Sequence, residues 1–262
     1  MKLTSHAVEK PWGRSELPPQ FAPHANGERM GEIWFEAPDG RALPLLVKYI
    51  FTSERLSVQV HPDDAQARAR GLPNGKTECW YILDADPGAT LALGFRQEVG
   101  EEALRAAALD GSIEDLMDWK PVRAGDFFYV PAGTVHAIGA GISLIEVQQQ
   151  SDTTYRLYDY GRPRELHLDD GLAVAERRPY SDELLAHVEP GASRTLVPGP
   201  HFTLHYVEGA PEPFAAGDRF AIPLRGTVSA GGEEGKPGDC LFVPEGTPLS
   251  ASDGAALLVA AA

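Results

Sequence analysis

The stretch AGDFFYVPAGTVHA, residues 124–137, returns as PGDCLFVPEGTPLS at residues 237–250, in frame and without a gap. In each copy a Gly-Asp pair opens a turn, an apolar run follows, and a Pro-x-Gly turn closes it, which are the bounds of a β-strand. A strand with both its turns repeated in this way predicts two related β units in one chain. The copies differ at a position that matters for chemistry: His136 of the first is matched by Leu249 of the second. Two units related by duplication would therefore have kept a donor side chain at this place only in the first.

The rest of the chain is punctuated in the same manner. Its 27 glycines and 22 prolines are scattered, and they separate short runs rich in β-branched and aromatic residues, among them LPLLVKYIF, RLSVQVHP, TECWYILD, TLALGF and ISLIEVQQQ. That pattern predicts an all-β protein, a barrel or sandwich. QEVGEEALRAAALDGSIEDLMDWKP breaks it: Leu104, Ala107 and Ala108 fall at helical spacing, and Glu98, Glu101 and Glu102 favour a first helical turn, so one or two short helices are expected there. Pro and Gly become denser near Pro190, which divides the chain into residues 1–175 and 190–262, with a boundary between Gly171 and Pro190.

Composition narrows the functional classes. A chain of 262 residues, 43% hydrophobic and 23% charged, can bury a full core and is expected to be folded and globular. The N-terminus has no apolar signal core, and LPLLV and AALLVAAA fall short of the roughly 20 residues that span a bilayer, so a cytoplasmic protein without a membrane partner is expected. Cys79 and Cys240 have no zinc-type spacing and fit a reducing compartment. The net charge of −15 speaks against a nucleic-acid partner and requires any anionic small molecule to find a locally basic pocket.

Candidate chemistry starts at LSVQVHPDD. Gln59 and His61 are two apart on a strand and share one face. GKTECWYIL adds Lys76 and Glu78, and the turn VPAGTVH adds His136. Taken singly, a buried His is more often a hydrogen-bonded core group and a strand Gln more often points outward. Taken jointly, Gln59, His61, Glu78 and His136 form a mixed N/O donor set suited to Zn²⁺, with Mn²⁺, Fe²⁺ or Co²⁺ also accommodated, in the layout of a cupin barrel. Glu146 lies in an apolar strand, where a carboxylate must be paired, liganded or raised in pKa, the last suiting acid–base work. SDTTYRLYDYGR carries Arg156, read as functional, and Arg162, read as a surface ion pair; Arg156 and Lys48 are the candidates for holding a phosphate-bearing substrate. Cys79 faces away from Glu78 and reads as packing. There is no GxGxxG, Walker loop or GxSxG, which weakens nucleotide and serine-hydrolase readings.

The segments KPWG at Lys10, GEIWFE at Gly31, LPLLVKYIF, LSVQVHPDD, GKTECWYIL, FFYVPAGTVHAIGAG and EVQQQSDTTYRLYDYGR together resemble the short bacterial form of class I mannose-6-phosphate isomerase. The resemblance runs from about Lys10 to Leu172; beyond it only the degraded strand-and-turn echo remains. It implies a cupin (jelly-roll) β-barrel in residues 1–175 and a degenerate cupin-like unit in 190–262. It implies zinc on Gln59, His61, Glu78 and His136, an arginine of catalysis at Arg156, and active-site positions at Lys76 and Glu146. The implied reaction interconverts mannose 6-phosphate and fructose 6-phosphate through a cis-enediolate, with Glu146 or Lys76 as the proton carrier. Lys76 would need a depressed pKa for that task. The rival readings are a metal cupin of other chemistry, such as an oxygenase, and a non-catalytic sugar-binding module.

Overall fold

The computed structural model describes residues 1–209 and 217–262. Its first part holds β1 (Thr4–Arg14), β2 (Met30–Glu36), β3 (Leu45–Phe51), β4 (Val58–Val60), β5 (Glu78–Ala85), β6 (Thr90–Phe95), β7 (Met117–Pro121), β8 (Asp126–Val130), β9 (His136–Ile138), β10 (Ile142–Gln149), β11 (Tyr155–Tyr158) and β12 (Leu185–His187). Four helices lie among them: α1 (Asp64–Ala69), α2 (Glu101–Asp110), α3 (Ile113–Leu116) and α4 (Leu168–Val174). The second part holds β13 (Arg194–Pro198), β14 (Thr203–Glu208), β15 (Arg219–Arg225), β16 (Val228–Ala230), β17 (Glu233–Gly235), β18 (Leu241–Val243), β19 (Leu249–Ala251) and β20 (Ala256–Ala261). The runs read as strands are present, and the region near Leu104, where one or two short helices are expected, holds two. Among the described residues no helix is long and apolar enough to cross a membrane.

The first part makes two antiparallel sheets, a large one in the order β1-β2-β3-β10-β5-β8-β12 and a smaller one in the order β11-β4-β9-β6-β7. The second part repeats the plan, with β13-β14-β20-β15-β18 and β17-β16-β19. Run β3-β10-β5-β8 corresponds to β14-β20-β15-β18, and β9-β6-β7 to β19-β16-β17, so the sequence echo at His136 and Leu249 is an echo of topology as well.

The large sheet is covered on both faces, which is why its central strands read as unbroken buried runs instead of alternating polar and apolar positions. The period of two still decides which side chain goes where. Val47, Tyr49 and Phe51 of β3, Cys79 of β5, and Ile145 and Val147 of β10 face one way, and pack against Leu204, Tyr206, Phe220, Ile222 and Leu258 of the second part in one continuous core. Phe21 sits within this layer, its ring centroid 4.7 Å from Tyr49 and 5.1 Å from Phe51. The alternate residues Ile50, Trp80, Ile82 and Leu144 face the smaller sheet and meet Leu91, Leu93 and Ile138. The outer face of the smaller sheet is closed by α2 and α4 through Val58, Val60, Leu104, Leu157 and Leu172. Cys79 is therefore packing, as its place on the strand requires, and burial pushes its thiol pKa well up.

The stretch between the two parts is not a bare connector. It opens with α4, and β12 extends the large sheet by pairing Leu185 with Phe128. The Tyr180 hydroxyl reaches the carbonyls of Tyr129 at 2.7 Å and Leu184 at 2.9 Å. Leu172, Val174 and Tyr180 are buried, and burying them draws their backbone onto the first part.

The closest backbone approach is at Gly139, which follows β9 and lies beside the start of its neighbour β6 in the smaller sheet. A Cβ there would lie 1.9 Å from the Thr90 carbonyl oxygen, a backbone atom that cannot swing away. Gly139→Ala should cost about 2–3 kcal/mol as an overpacking change, or roughly 5–10 °C in Tm for a chain of this size. Thermal unfolding followed by circular dichroism checks this, and a shift within 1–2 °C of the parent (about 0.5 kcal/mol) would show that the strands separate freely.

Candidate metal centre and active site

The inner faces of the two sheets present polar residues in cross-strand rows. On the large sheet Glu146 of β10 stands between Lys48 of β3 and Trp80 of β5, and Gln148 stands beside Glu78. On the smaller sheet Gln59 of β4 lies between Arg156 of β11 and His136 of β9. His61, two residues beyond Gln59, points the same way. Tertiary pairing thus brings Gln59, His61, Glu78 and His136 from three segments to one place.

His61, Glu78 and His136 each offer a donor atom, all within 4.8 Å of one another, and all three residues are buried. The His61 Nδ1 lies 2.9 Å from the Thr153 carbonyl and the His136 Nδ1 lies 2.9 Å from the Thr134 carbonyl. A carbonyl only accepts, so each Nδ1 carries the proton and each Nε2 presents a bare lone pair to the interior. Those Nε2 atoms are 3.5 Å and 3.4 Å from the Glu78 oxygens. The Oε1 of Glu78 is fully buried without a hydrogen-bond partner. Burial, with Lys76 and His136 adding to it, holds His61 well below the ordinary imidazole pKa, and burial brings His136 down to about 4. Two neutral imidazoles oriented by backbone carbonyls and an orphaned carboxylate oxygen fit a divalent cation. The Gln59 amide donates from Nε2 toward His136 Nε2 at 3.2 Å, and its Oε1 faces the Ser57 hydroxyl at 3.2 Å. Turning that amide end for end makes its oxygen the fourth donor.

A second layer is built on lysines. Lys76 pairs with Glu78, approaches His61 Nε2 at 3.1 Å and lies 3.9 Å from Glu146. Lys48 donates to Glu146 at 3.1 Å and sits 4.8 Å over the Trp34 ring, while the Trp80 indole donates to Glu146 at 3.1 Å. Of the three outcomes open to a carboxylate in that apolar strand, paired, liganded or raised in pKa, the structure shows Glu146 paired. Burial alone would push that carboxyl up, but the charges of Lys76 and Lys48 and the two hydrogen bonds outweigh it and hold the group down. The carboxyl that goes up is Glu78, through its own burial and the nearby charge of Glu146.

Lys48, Lys76, Gln59, Glu146 and Arg156 line one cavity of about 300 Å³. Arg156 is half-buried, and its Nη1 donates to the Glu165 carbonyl at 2.7 Å. Arg162 is turned away in ion pairs with Asp159 at 3.1 Å and Glu54 at 3.2 Å, as its sequence position suggested. Sequence reasoning did not single out Trp12, Glu32, Trp34 or Arg164, which also line the cavity. The i, i+2 spacing of Glu32 and Trp34 in GEIWFE was the signal available for two of them.

No family model matches the chain. It is 38% identical over 211 residues to the mannose-6-phosphate isomerase ManA of Bacillus subtilis, which takes in 70% of this chain and 67% of that relative. The aligned part thus spans about two thirds of the relative's length. The crystal structure of the Bacillus subtilis mannose 6-phosphate isomerase is similar over 100% of this chain and 99% of that one, with a TM-score of 0.82 and 28% identity. A zinc-bound mannose 6-phosphate isomerase shares the fold over 99% of this chain and 98% of its own, with a TM-score of 0.72 and 17% identity.

Proposed function

Because the chain belongs to the mannose-6-phosphate isomerase family, we propose that it interconverts mannose 6-phosphate and fructose 6-phosphate, with zinc held by His61, Glu78, His136 and Gln59. The observation that carries this is the buried His61–Glu78–His136 cluster held directly against Lys76, which together with Gln59, Lys48 and Glu146 lines a single cavity. An oxygenase or a non-catalytic sugar-binding module is not favoured, since the relatives are isomerases.

The reaction moves a proton between C1 and C2, so it needs a proton carrier, stabilisation of the enediolate oxygens and an anchor for the phosphate. A zinc ion bound at the donor set supplies Lewis-acid polarisation of the sugar's oxygens. Lys76 and Glu146, 3.9 Å apart at the cavity wall, are the proton-handling pair. Lys48 and Trp80 fix the Glu146 carboxylate by hydrogen bonds, so it meets substrate in one orientation without reorganising. Arg156 brings a guanidinium to the substrate's charged oxygens.

Residues 1–175 make the catalytic unit and residues 190–262 a cupin-like unit that has lost its site. Supporting this, the interior of the second unit is filled by Val207, Ala221, Val228, Leu241, Val243 and Leu257. The enzyme works in the cytoplasm, in keeping with two free buried cysteines. Its partner is a small sugar phosphate, and a net charge of −15 gives nucleic acid nothing to bind.

Incubation of the purified protein with mannose 6-phosphate should yield fructose 6-phosphate, stop on treatment with a strong chelator and resume on adding zinc. No turnover by zinc-loaded protein refutes the isomerase reading; turnover that survives complete metal removal refutes the zinc assignment.

A further inference from the structure

The segment after β11 folds back through Asp159-Tyr160-Gly161-Arg162, with the Arg162 N–H donating to the Asp159 carbonyl at 3.0 Å. Tyr160 has φ 55° and Gly161 φ 76°, two left-handed residues in succession. Among the described residues Tyr160 alone is a non-glycine with positive φ. Such a conformation costs on the order of 1–2 kcal/mol and persists where the surroundings hold it.

What holds it is Asp159, only 2% exposed. Its two oxygens accept from Arg164 Nε and Nη2, each at 2.6 Å, and from Arg162 Nη1 at 3.1 Å. Arg164 is thereby gripped along one edge of its fork while it lines the same cavity as Lys76 and Glu146. Arg156 meets it there: its Nη1 is tied to the carbonyl of Glu165, the next residue, and its Nε is buried without a partner. Burial and then the charge of Arg164 hold the Arg156 pKa below its usual value, and both guanidiniums line the one cavity. No carboxylate lies within ion-pair distance of Arg156 among the described residues, so the pair carries positive charge that an anion would neutralise. The charge of Asp159 is shared with Arg162 and is not turned to the cavity.

We infer that Arg156 and Arg164 form the cradle for the phosphate group of the substrate, and that Asp159 is a positioning residue that sets Arg164 in it. The inference rests on the isomerase reading for the identity of the substrate. The cradle itself is a phosphate site whatever the sugar.

The test uses zinc-loaded full-length protein, titrated with inorganic phosphate by calorimetry and assayed with mannose 6-phosphate. Arg164→Ala should weaken phosphate binding and raise KM by about tenfold or more, with kcat held within about threefold. Asp159→Asn should move both quantities the same way. Combining the two should be no worse than Arg164→Ala alone, since Asp159 acts through Arg164. Arg105→Ala, which breaks an exposed ion pair with Asp169, serves as the control and should change neither. Phosphate binding by Arg164→Ala within about twofold of the parent overturns the cradle. A further loss from Asp159→Asn in the Arg164→Ala background overturns the positioning role. If the parent protein fails to turn over mannose 6-phosphate, the isomerase reading falls, and the phosphate titration still decides the cradle.

Discussion

His136→Ala protein should retain almost no zinc after gel filtration and convert mannose 6-phosphate about a thousandfold more slowly than the parent, because losing the metal removes several kcal/mol of transition-state stabilisation. The ring is fully buried, its Nδ1 is fixed by the Thr134 carbonyl, and its Nε2 is one of the donors facing Glu78. No neighbouring side chain can replace that nitrogen. Alanine also leaves a void beside the Trp80 ring, 5.2 Å away, so some stability is lost as well. His136→Leu separates the two effects, because leucine is the residue the second unit carries at the matching position, Leu249. The leucine variant should melt close to the metal-free parent and still bind no zinc. Stoichiometric zinc with near-parental turnover in either variant would remove His136 from the ligand set.

Lys76→Met should be nearly as severe, and in a different way. Lys76 and Glu78 are both almost completely buried, and Glu146 lies within ion-pair reach of the same ammonium. Methionine keeps much of the volume but leaves two buried carboxylates to share Lys48 alone, and stripping one partner from a buried pair costs roughly 3–5 kcal/mol. The metal-free variant should therefore lose most of that amount in urea unfolding. Zinc should restore part of it, since a cation bound by Glu78 compensates the charge left behind. Turnover should stay about a thousandfold down even in the zinc-loaded variant, because half of the proton-handling pair is gone. Metal-loaded Lys76→Met with kcat within about tenfold of the parent would assign the proton to Glu146 without Lys76.

Much of this was legible in the sequence because the large sheet is buried on both faces. A polar side chain in such a strand has to be explained, and so Glu146 stood out within ISLIEVQQQ. The period of two then put Gln59 and His61 on one face and sent Cys79 to the other. The charge state of Glu146 was not legible. It depends on Lys48, 98 residues away in sequence, and on Trp80, and both become neighbours only because β10 inserts between β3 and β5. The grip of Asp159 on Arg164 likewise depends on a turn in which a tyrosine takes a glycine-like conformation, which composition does not foretell.

By itself, then, the sequence determined the element types and the repeat of one β plan at His136 and Leu249, and it put forward the donor side chains proposed for zinc, all of which follow from local pattern and residue identity. The tertiary structure decided which strands are adjacent, how the segment from α4 to β12 joins the first sheet, and which of two buried carboxylates gives up its proton more readily. Electrostatic balance in a desolvated interior is a sum over neighbours within a few ångströms, and in a sheet of crossing connections those neighbours are set by pairing and not by order along the chain.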